Sequence, residues 1–396
     1  MNKKAKDRLE KNIKRLYWIS FIKSSGFHLV VFTLFLLSKG FTMSQFFLIQ
    51  SAYYLVSLLM EIPTGIFSDL KSKKNSLIIA SVIGIPVTLM IISSNSFWVV
   101  LIAMAIAGIS SALVSGTDVA ILYDTLKSLN KEKEFKKIQG KMKWYGSWSG
   151  AIGGILGGFL AQFKLSYPWW ITFFMIIPAL IIKIKLVEPP FHKEIKKTSY
   201  VTHFKESLKI SFKGDASYFV IYSAVVWTFF VLSFFLWQPF LELTTLPFMF
   251  FGVFYAVERL ISGYSSKVAH RVELKMGMRN SLLLIPLVLA LALILESQII
   301  FIFGFLIIFL QSVVSGFFLP VLDDYLNVRI PSSKRSTIFS IKNMVHSLLY
   351  ILISPLLGHL IDLYSLQTGL LLMGGLLVVI SIVFFILYKK PTKELN

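Results

Sequence analysis

A few ionisable side chains lie inside long apolar stretches of this chain, where charge is costly. A charged group near the centre of a lipid bilayer costs on the order of 3 kcal/mol, so such groups are candidates for function. Burial disfavours the charged form of a carboxyl group, which allows it to bind and release protons near neutral pH. Histidine titrates in that range without such help. The proton-coupling candidates are therefore Glu61, Asp118 and His28.

Each of these candidates has an alternative, purely structural role. Glu61 and Asp118 are expected either to carry a coupled proton or to form a permanent ion pair with Lys23 or Lys342. A lone histidine such as His28 is more commonly a hydrogen-bonded packing residue. Lys23 and His28 are five residues apart, about 140° around a continuous helix, so we expect only one of them to face a cavity.

Polar and aromatic side chains in other apolar stretches are candidates for a binding cavity. Lys342 and His346 share a helix face, whereas the adjacent Glu258 and Arg259 are expected to lie on different faces with separate partners. Aromatic rings suit lipophilic or cationic ligands, although lipid-facing aromatics explain the same pattern. The cavity candidates are Lys23, His28, Tyr222, Trp227, Gln238, Glu258, Arg259 and His346.

The elements that hold these groups are predicted to be membrane-spanning helices. The mean hydropathy of +0.73, with 56% hydrophobic and 15% charged residues, is too apolar for an ordinary soluble domain. A hydrocarbon core about 30 Å thick requires roughly 20 apolar residues per helix. Twelve such stretches are predicted, near 14–38, 41–69, 75–94, 97–126, 140–163, 165–187, 214–240, 246–266, 277–295, 298–326, 336–362 and 365–388.

Positive charge is concentrated in every second connection between these stretches. Short basic loops remain on the cytoplasmic side of a membrane, so both termini are expected there. The net charge of +20 then indicates topology and anionic lipid headgroups, not nucleic acid. The chain has no cysteine, which excludes disulfides and thiolate metal sites. The basic segments are 3–15, 71–74, 127–143, 183–213, 267–279, 329–335 and the tail after 388.

The predicted helices form two sets of six. The longest predicted cytoplasmic connection, 188–213, separates an N-terminal bundle, 1–187, from a C-terminal bundle, 214–396. A Ser-Gly pair followed by Leu and Asp recurs in both halves and makes Asp124 equivalent to Asp324. Two parallel halves imply a pseudo-twofold axis along the membrane normal, a substrate cavity between the halves and alternating access by rocking.

The segment 65–74, Gly-Ile-Phe-Ser-Asp-Leu-Lys-Ser-Lys-Lys, resembles the loop between helices 2 and 3 of the major facilitator superfamily. Gly65, Asp69, Lys73 and Lys74 fit the usual pattern. Lys71 stands one place after the expected basic position, and Ser72 replaces a glycine. The strings Glu-Ile-Pro-Thr-Gly before the loop and Ser-Gly-Thr-Asp-Val-Ala-Ile-Leu-Tyr-Asp in the fourth predicted helix resemble a bacterial branch of drug-efflux transporters.

This resemblance implies an all-α integral membrane fold of twelve transmembrane helices in two six-helix bundles. It further implies proton-coupled efflux of small lipophilic or cationic compounds by a monomer in the bacterial cytoplasmic membrane. The expected partners are a small-molecule substrate, protons and membrane lipids, with no cofactor or metal. Catalytic and nucleotide-binding motifs are absent from the sequence, so no enzyme activity is expected. The alternatives are proton-coupled uptake of a metabolite, a lipid flippase and a transporter-like receptor.

Charged residues at the predicted cytoplasmic helix ends are expected to form gates. A carboxylate at a helix end can pair with a cation and with helix termini of the opposite half, and the resemblance implies that Asp124 joins this network. A solvated turn is the structural alternative for the loop. The predicted gating residues are Asp69, Lys71, Lys73, Lys74 and Asp124 in the first half, and Asp324, Arg329 and Arg335 in the second.

Glycines are concentrated in the predicted helix 140–163. Four of them recur at i+4 spacing and form a bare ridge that a neighbouring helix can approach closely. The run also resembles the antiporter motif of the superfamily, with a glycine in place of its usual proline, although generic close packing explains the glycines nearly as well. The glycines are Gly146, Gly150, Gly153, Gly154, Gly157 and Gly158.

Overall fold

The computed structural model describes residues 3–190, 198–331 and 334–388, without the side chains of residues 3–5, 69–70, 198–204 and 336. These residues form α-helices and three short 3-10 helices, Phe27–Val31, Glu132–Glu134 and Ile302–Gly304. The α-helices are α1 (Lys3–Ser24), α2 (Phe32–Leu37), α3 (Met43–Leu70), α4 (Lys73–Ser93), α5 (Phe97–Val114), α6 (Thr117–Ser128), α7 (Phe135–Ala161), α8 (Tyr167–Ile184), α9 (Thr198–Ser211), α10 (Gly214–Leu243), α11 (Phe248–Gln298), α12 (Phe305–Arg329), α13 (Arg335–Leu363) and α14 (Leu366–Leu387).

Ten helical segments of the described residues are long and apolar enough to cross a membrane. The prediction of twelve spans differs from this in two places. The predicted span 140–163 lies in α7, which is not among the ten segments. The predicted spans 246–266 and 277–295 both fall in α11, which consists of two helices joined at Gly277, where φ of 75° and ψ of 162° are not helical. At 1.5 Å per residue, the part of α11 on each side of Gly277 is roughly as long as the hydrocarbon core is thick, about 30 Å.

Glycine interrupts two of the predicted spans. The predicted helix 14–38 ends at Ser24, since Gly26 takes a left-handed conformation with φ of 50° before the 3-10 turn. The predicted helix 97–126 ends at Val114, because Gly116 has φ of 69°. Glycine adopts this region without the steric cost that other residues incur. Each predicted stretch is still part of one candidate membrane span, Lys6–Leu37 and Phe97–Ser128, but the helix inside it is interrupted.

The chain divides into two compact units. Unit 1 comprises Met1–Lys193 and Pro247–Ala256, and unit 2 comprises Glu194–Leu246 and Val257–Asn396. The segment 188–213, which is expected to be a cytoplasmic linker, contains helix α9. The division into domains 1–187 and 214–396 remains a prediction.

In unit 1, the glycines of α7 pack closely on the interrupted first helix. A Cβ atom on Gly153 would overlap the carbonyl group of Ser25, and one on Gly157 would overlap that of Phe27. A Cβ atom on Gly146 would lie 2.8 Å from the Ser24 hydroxyl. Since α1 ends at this point, the glycines allow its terminal backbone to lie directly against α7.

A second row of α7 glycines faces a different neighbour. A Cβ atom on Gly154 would lie 2.6 Å from the ring of Tyr255, and one on Gly158 would lie 2.5 Å from the backbone nitrogen of Gly252. Both partners belong to the part of α11 that is assigned to unit 1. The predicted single ridge at i+4 spacing is thus divided between two packing partners.

Substitution of Gly157 by alanine should destabilise unit 1, because the new methyl group would overlap the Phe27 carbonyl. Overpacking of this kind costs about 1–3 kcal/mol. Gly140 lies in the same helix with no heavy atom within 4 Å of its ideal Cβ position. Gly140→Ala is the matched control and should stabilise α7 by roughly 0.5–1 kcal/mol. The measurement is the thermal unfolding midpoint of each purified variant. Equal midpoints for Gly157→Ala and Gly140→Ala would contradict the packing described here.

Candidate functional site

Unit 1 contains a cavity of about 590 Å³ lined by α1, α3, α4, α5, α6, α8 and the 3-10 turn after α1. Much of its lining is apolar. Its charged and imidazole side chains are Lys23, His28, Asp118 and Lys183. The structure thus brings together three residues that the sequence identifies as candidates, and adds Lys183. The other predicted candidates do not line this cavity.

Lys23 and Asp118 form an ion pair in this cavity. The Lys23 ammonium donates to Asp118 Oδ2 at 3.0 Å, and the Val119 amide donates to Asp118 Oδ1 at 2.9 Å. Asp118 lies in the first turn of α6, where the helix dipole favours a carboxylate. The Lys23 side chain is 55% exposed and that of Asp118 is 20% exposed. Exposed ion pairs are weak, so this pair can open when a competing charge or proton arrives.

Lys183 is a cavity residue that was not among the predicted candidates, because it lies where the predicted stretch 165–187 overlaps the basic segment 183–213. Helix α8 continues to Ile184, so Lys183 lies in its last turn. Its ammonium donates to the Ser81 hydroxyl at 2.6 Å. Within the described chain, no carboxylate lies within 4.0 Å of this ammonium, as an ion pair would require. The sequence does contain a signal that could have placed Lys183 on the helix. No glycine, proline or other turn residue separates this lysine from the apolar stretch before it, so the helix can continue through it.

His28 lies at the cavity wall with its ring held by neighbours. Its Nδ1 is 3.1 Å from the Thr172 hydroxyl, and its ring centroid is 4.5 Å from that of Trp169. The Thr172 hydroxyl is also 2.9 Å from the Pro168 carbonyl, to which it can donate its proton. The break after Ser24 removes the predicted angle of 140° between Lys23 and His28, and both residues line the cavity.

The loop that resembles the superfamily motif contains a second ion pair. Lys73 donates to Asp124 at 2.7 Å, and their side chains are 10% and 33% exposed. The side chain of Asp69 lies outside the described residues. Lys71 is exposed, and the Lys74 amide donates to Glu188. The gating role of these residues remains a prediction.

Glu188 caps the beginning of α4, a role that the sequence analysis missed. Its carboxylate accepts hydrogen bonds from the Ser72 hydroxyl at 2.7 Å, the Lys73 amide at 2.9 Å and the Lys74 amide at 2.8 Å. The unpaired amides and the dipole at a helix N-terminus favour such a carboxylate. Asn12 fixes the adjacent backbone through two hydrogen bonds with Val187. Glu188 is distant from α4 in sequence, so no local pattern predicts this contact.

Glu61 and Glu296 are acids outside the cavity of unit 1. Glu61 is partly buried on α3. Glu296 is 1% exposed in unit 2 and accepts a hydrogen bond of 2.6 Å from the Gln311 amide. The sequence analysis missed Glu296 because it lies just beyond the predicted stretch 277–295.

Two candidates in unit 2 occupy packed positions. Tyr222 is fully buried, and its hydroxyl donates to the Leu282 carbonyl at 2.6 Å. His346 is buried, with Nδ1 2.9 Å from the Thr228 hydroxyl. These contacts hold α10 against α11 and α13. They fit a structural role for both residues.

Other cavity candidates in unit 2 also have close neighbours. Trp227 stacks on Phe230 and Phe318, with centroids 5.0 and 5.7 Å apart, while Gln238 is fully buried.

Glu258 and Arg259 form an ion pair with each other. Arg259 Nε lies 3.4 Å from Glu258 Oε2. The expectation of separate partners for these adjacent residues was therefore wrong. Their long side chains can bend along the helix surface and meet even though their Cβ atoms point in different directions.

The predicted charge cluster at the end of α12 has a different arrangement. Arg329 donates to the Tyr325 carbonyl, and Arg335 donates to that of Asn327. Asp324 is exposed and belongs to none of the ion pairs found among the described residues.

The adjacent Asp323 forms the ion pair at this position. It accepts a hydrogen bond of 2.8 Å from Lys342. This contact joins α12 to α13. The gating role expected of Asp324, Arg329 and Arg335 remains a prediction. Among the described residues, no group of three His, Asp or Glu side chains is placed to hold a metal ion.

The Lys73–Asp124 pair should contribute more to stability than the exposed Lys131–Glu10 pair. Solvent screens the second pair, whose side chains are 37% and 42% exposed, more strongly. A double-mutant cycle with Lys73→Met and Asp124→Asn should give a coupling of about 1–3 kcal/mol. The matched cycle with Lys131→Met and Glu10→Gln should give less than about 1 kcal/mol. Unfolding free energies in detergent provide the measurement. Equal couplings would contradict the burial difference.

Comparison with known proteins identifies the fold and the family. Two crystal structures of the nucleoside transporter NupG are similar to this chain, one of a mutant with a TM-score of 0.83 and one with a TM-score of 0.80. In both, the sequence identity is 15%, and the alignment covers 96% of this chain and 100% of the NupG chain. A bacterial homologue of the lysosomal transporter Spinster, in an inward-facing and unoccupied conformation, has a TM-score of 0.73 with 14% identity over 98% of this chain and 97% of its own. These low sequence identities show a shared fold and carry no information about the substrate.

No curated protein sequence matches significantly. The sequence profile of the Major Facilitator Superfamily matches residues 16–309, and the chain therefore belongs to this superfamily of membrane transporters.

Proposed function

We propose that this chain is a secondary active transporter that couples the movement of a small amphipathic compound to protons. The observation that carries this proposal is the Lys23–Asp118 ion pair in the wall of a largely apolar cavity. The cavity lies within the range of about 300–1,000 Å³ that is typical of sites for drug-sized ligands. A charge pair on its surface gives substrate and proton a common point of contact.

The proposed coupling uses competition for the two charges of this pair. Protonation of Asp118 removes its negative charge and releases the Lys23 ammonium, which is already partly exposed. Deprotonation restores the pair, aided by the N-terminus of α6. Because the pair is partly exposed, a proton or a charged group that enters the cavity can compete for its two partners.

The proposal includes twelve membrane crossings in two six-helix bundles. The two crossings beyond the ten candidate segments would be α7 and the second half of α11, which is separated from the first half by Gly277. Both termini would face the cytoplasm of a bacterial cell, because the basic connections alternate along the chain. The chain would act as a monomer by alternating access. The predicted charge clusters, including the Lys73–Asp124 pair, would act as gates.

Two directions of transport are compatible with this coupling. Exchange requires that substrate and proton exclude each other, whereas joint transport requires that each favours binding of the other. The resemblance to drug-efflux proteins and the α7 glycines support export of a lipophilic compound in exchange for protons. The lining charges, two lysines against one aspartate, disfavour a cationic substrate. They support the second candidate, uptake of a metabolite together with protons.

Asp118→Asn should abolish substrate-linked proton movement, because the amide can neither bind a proton nor compete for Lys23 as a charge. Liposomes containing the protein and a fluorescent pH indicator provide the measurement when compounds are added outside. For an added compound that enters, joint transport acidifies the interior and exchange makes it more alkaline. The matched control is Glu132→Gln, since Glu132 is an exposed acid outside the candidate membrane spans.

The native chain and Glu132→Gln should give the same proton signal. Movement of a radiolabelled compound by the native chain with no accompanying change in pH would rule out proton coupling. An undiminished signal in Asp118→Asn would rule out Asp118 as the coupling group.

A further inference from the structure

Lys183 is an ammonium group in the cavity wall for which the described residues supply no carboxylate within ion-pair distance. Its single hydrogen-bond partner among the described residues is the neutral hydroxyl of Ser81. An ammonium has three donors, so two remain available. A charge removed from water is costly unless it is paired and hydrogen-bonded. This lysine therefore has the donors and the charge to bind an anion.

The carboxylate of the cavity does not neutralise Lys183, because it is already paired with Lys23. The charges of Lys23 and Asp118 both act on Lys183, which leaves one net positive charge among the three groups. A ligand with a single negative charge would balance it.

A purely structural role at the helix end is the alternative explanation for Lys183. A lysine in the last turn of a helix interacts favourably with the helix dipole, and long lysines can extend toward water at a membrane surface. Lys183 instead donates across to Ser81 on α4, within the cavity lining. Lys185, at the end of the same helix, is exposed and absent from that lining. The two lysines therefore provide a comparison between cavity and surface positions.

The remaining lining fits the apolar part of a ligand. Ile19, Leu77, Val114, Met175 and Ile176 present aliphatic or thioether groups to the same cavity. Hydroxyl groups on neighbouring helices are mostly engaged, as in the Tyr53–Ser111 hydrogen bond of 2.8 Å. A ligand with an extensive polar surface, such as a sugar, would lack partners here. An apolar body with one acidic group matches the available contacts.

We propose that Lys183 and Ser81 form a subsite for the acidic group of a small amphipathic organic acid. This inference rests on the proposed transport function and specifies its substrate class. The acid would add a second negative charge near Lys23 and Lys183. Protonation of Asp118 would remove the competing charge, so the acid and the proton would each favour binding of the other. Because such coupling between two binding sites is reciprocal, this arrangement predicts that the acid and the proton are transported together.

Ligand-induced stabilisation tests the subsite without any ion gradient. The probes are aryl and alkyl carboxylates of about six to twelve carbons, each paired with its uncharged primary amide. A ligand that binds the folded state raises the thermal unfolding midpoint. With the native protein, acids should raise the midpoint more than their amides. Lys183→Met should remove this preference, whereas Lys183→Arg should retain it through the conserved charge and Lys185→Met should leave it unchanged.

Several outcomes would overturn the subsite. These are the absence of an acid preference in the native protein, its persistence in Lys183→Met, or its equal loss in Lys185→Met. Stabilisation by a short-chain phosphatidylglycerol but by none of the acids would instead assign the lysine to a lipid headgroup. Since these measurements involve no transport, a negative result leaves the liposome test of proton coupling intact. A positive result with no proton movement would overturn the proposed function while keeping the binding site.

Discussion

The close approach of α7 to the broken first helix is the constraint on which the cavity depends. Gly26 turns the chain into a left-handed conformation, and the α7 glycines leave room for the carbonyl groups of Ser25 and Phe27. The break allows Lys23 and His28 to line the same cavity although they are five residues apart. Side chains in place of these glycines would push α7 away from the segment that positions both groups.

The charged groups of this cavity can change their ion-pair partners. The ion pair is partly exposed and one carboxylate oxygen is held by a helix N-terminus. In the part of the chain that the structure describes, the partner of the second ammonium, Lys183, is a hydroxyl group. By contrast, the Lys73–Asp124 pair and the Glu188 cap lie at helix ends with several hydrogen bonds. The first arrangement suits ligand binding and proton exchange, and the second suits the joining of segments.

The sequence predicted a helical protein that crosses the membrane several times, because long apolar stretches reflect solvation by lipid directly. It also identified Lys23, His28 and Asp118, since ionisable groups in apolar segments are rare. Backbone breaks were less predictable. Gly116 interrupts a helix with φ of 69°, whereas its repeat counterpart Gly316 lies inside the continuous α12 and faces the Ser262 backbone. The same residue type serves as a break in one place and as a packing surface in the other. Lys183 was missed because a lysine at a helix end has the same sequence pattern as a lysine in a loop.

The central claim is that ligand and proton meet at the Lys23–Asp118 pair. Infrared difference spectroscopy of the purified protein, recorded as a bound organic acid is added at constant pH, detects protonation of a carboxyl group directly. The account predicts that the band of a protonated carboxyl group grows when the acid binds, and that this change is absent in Asp118→Asn. An unchanged carboxyl band on binding, or the same change in Asp118→Asn, would contradict it.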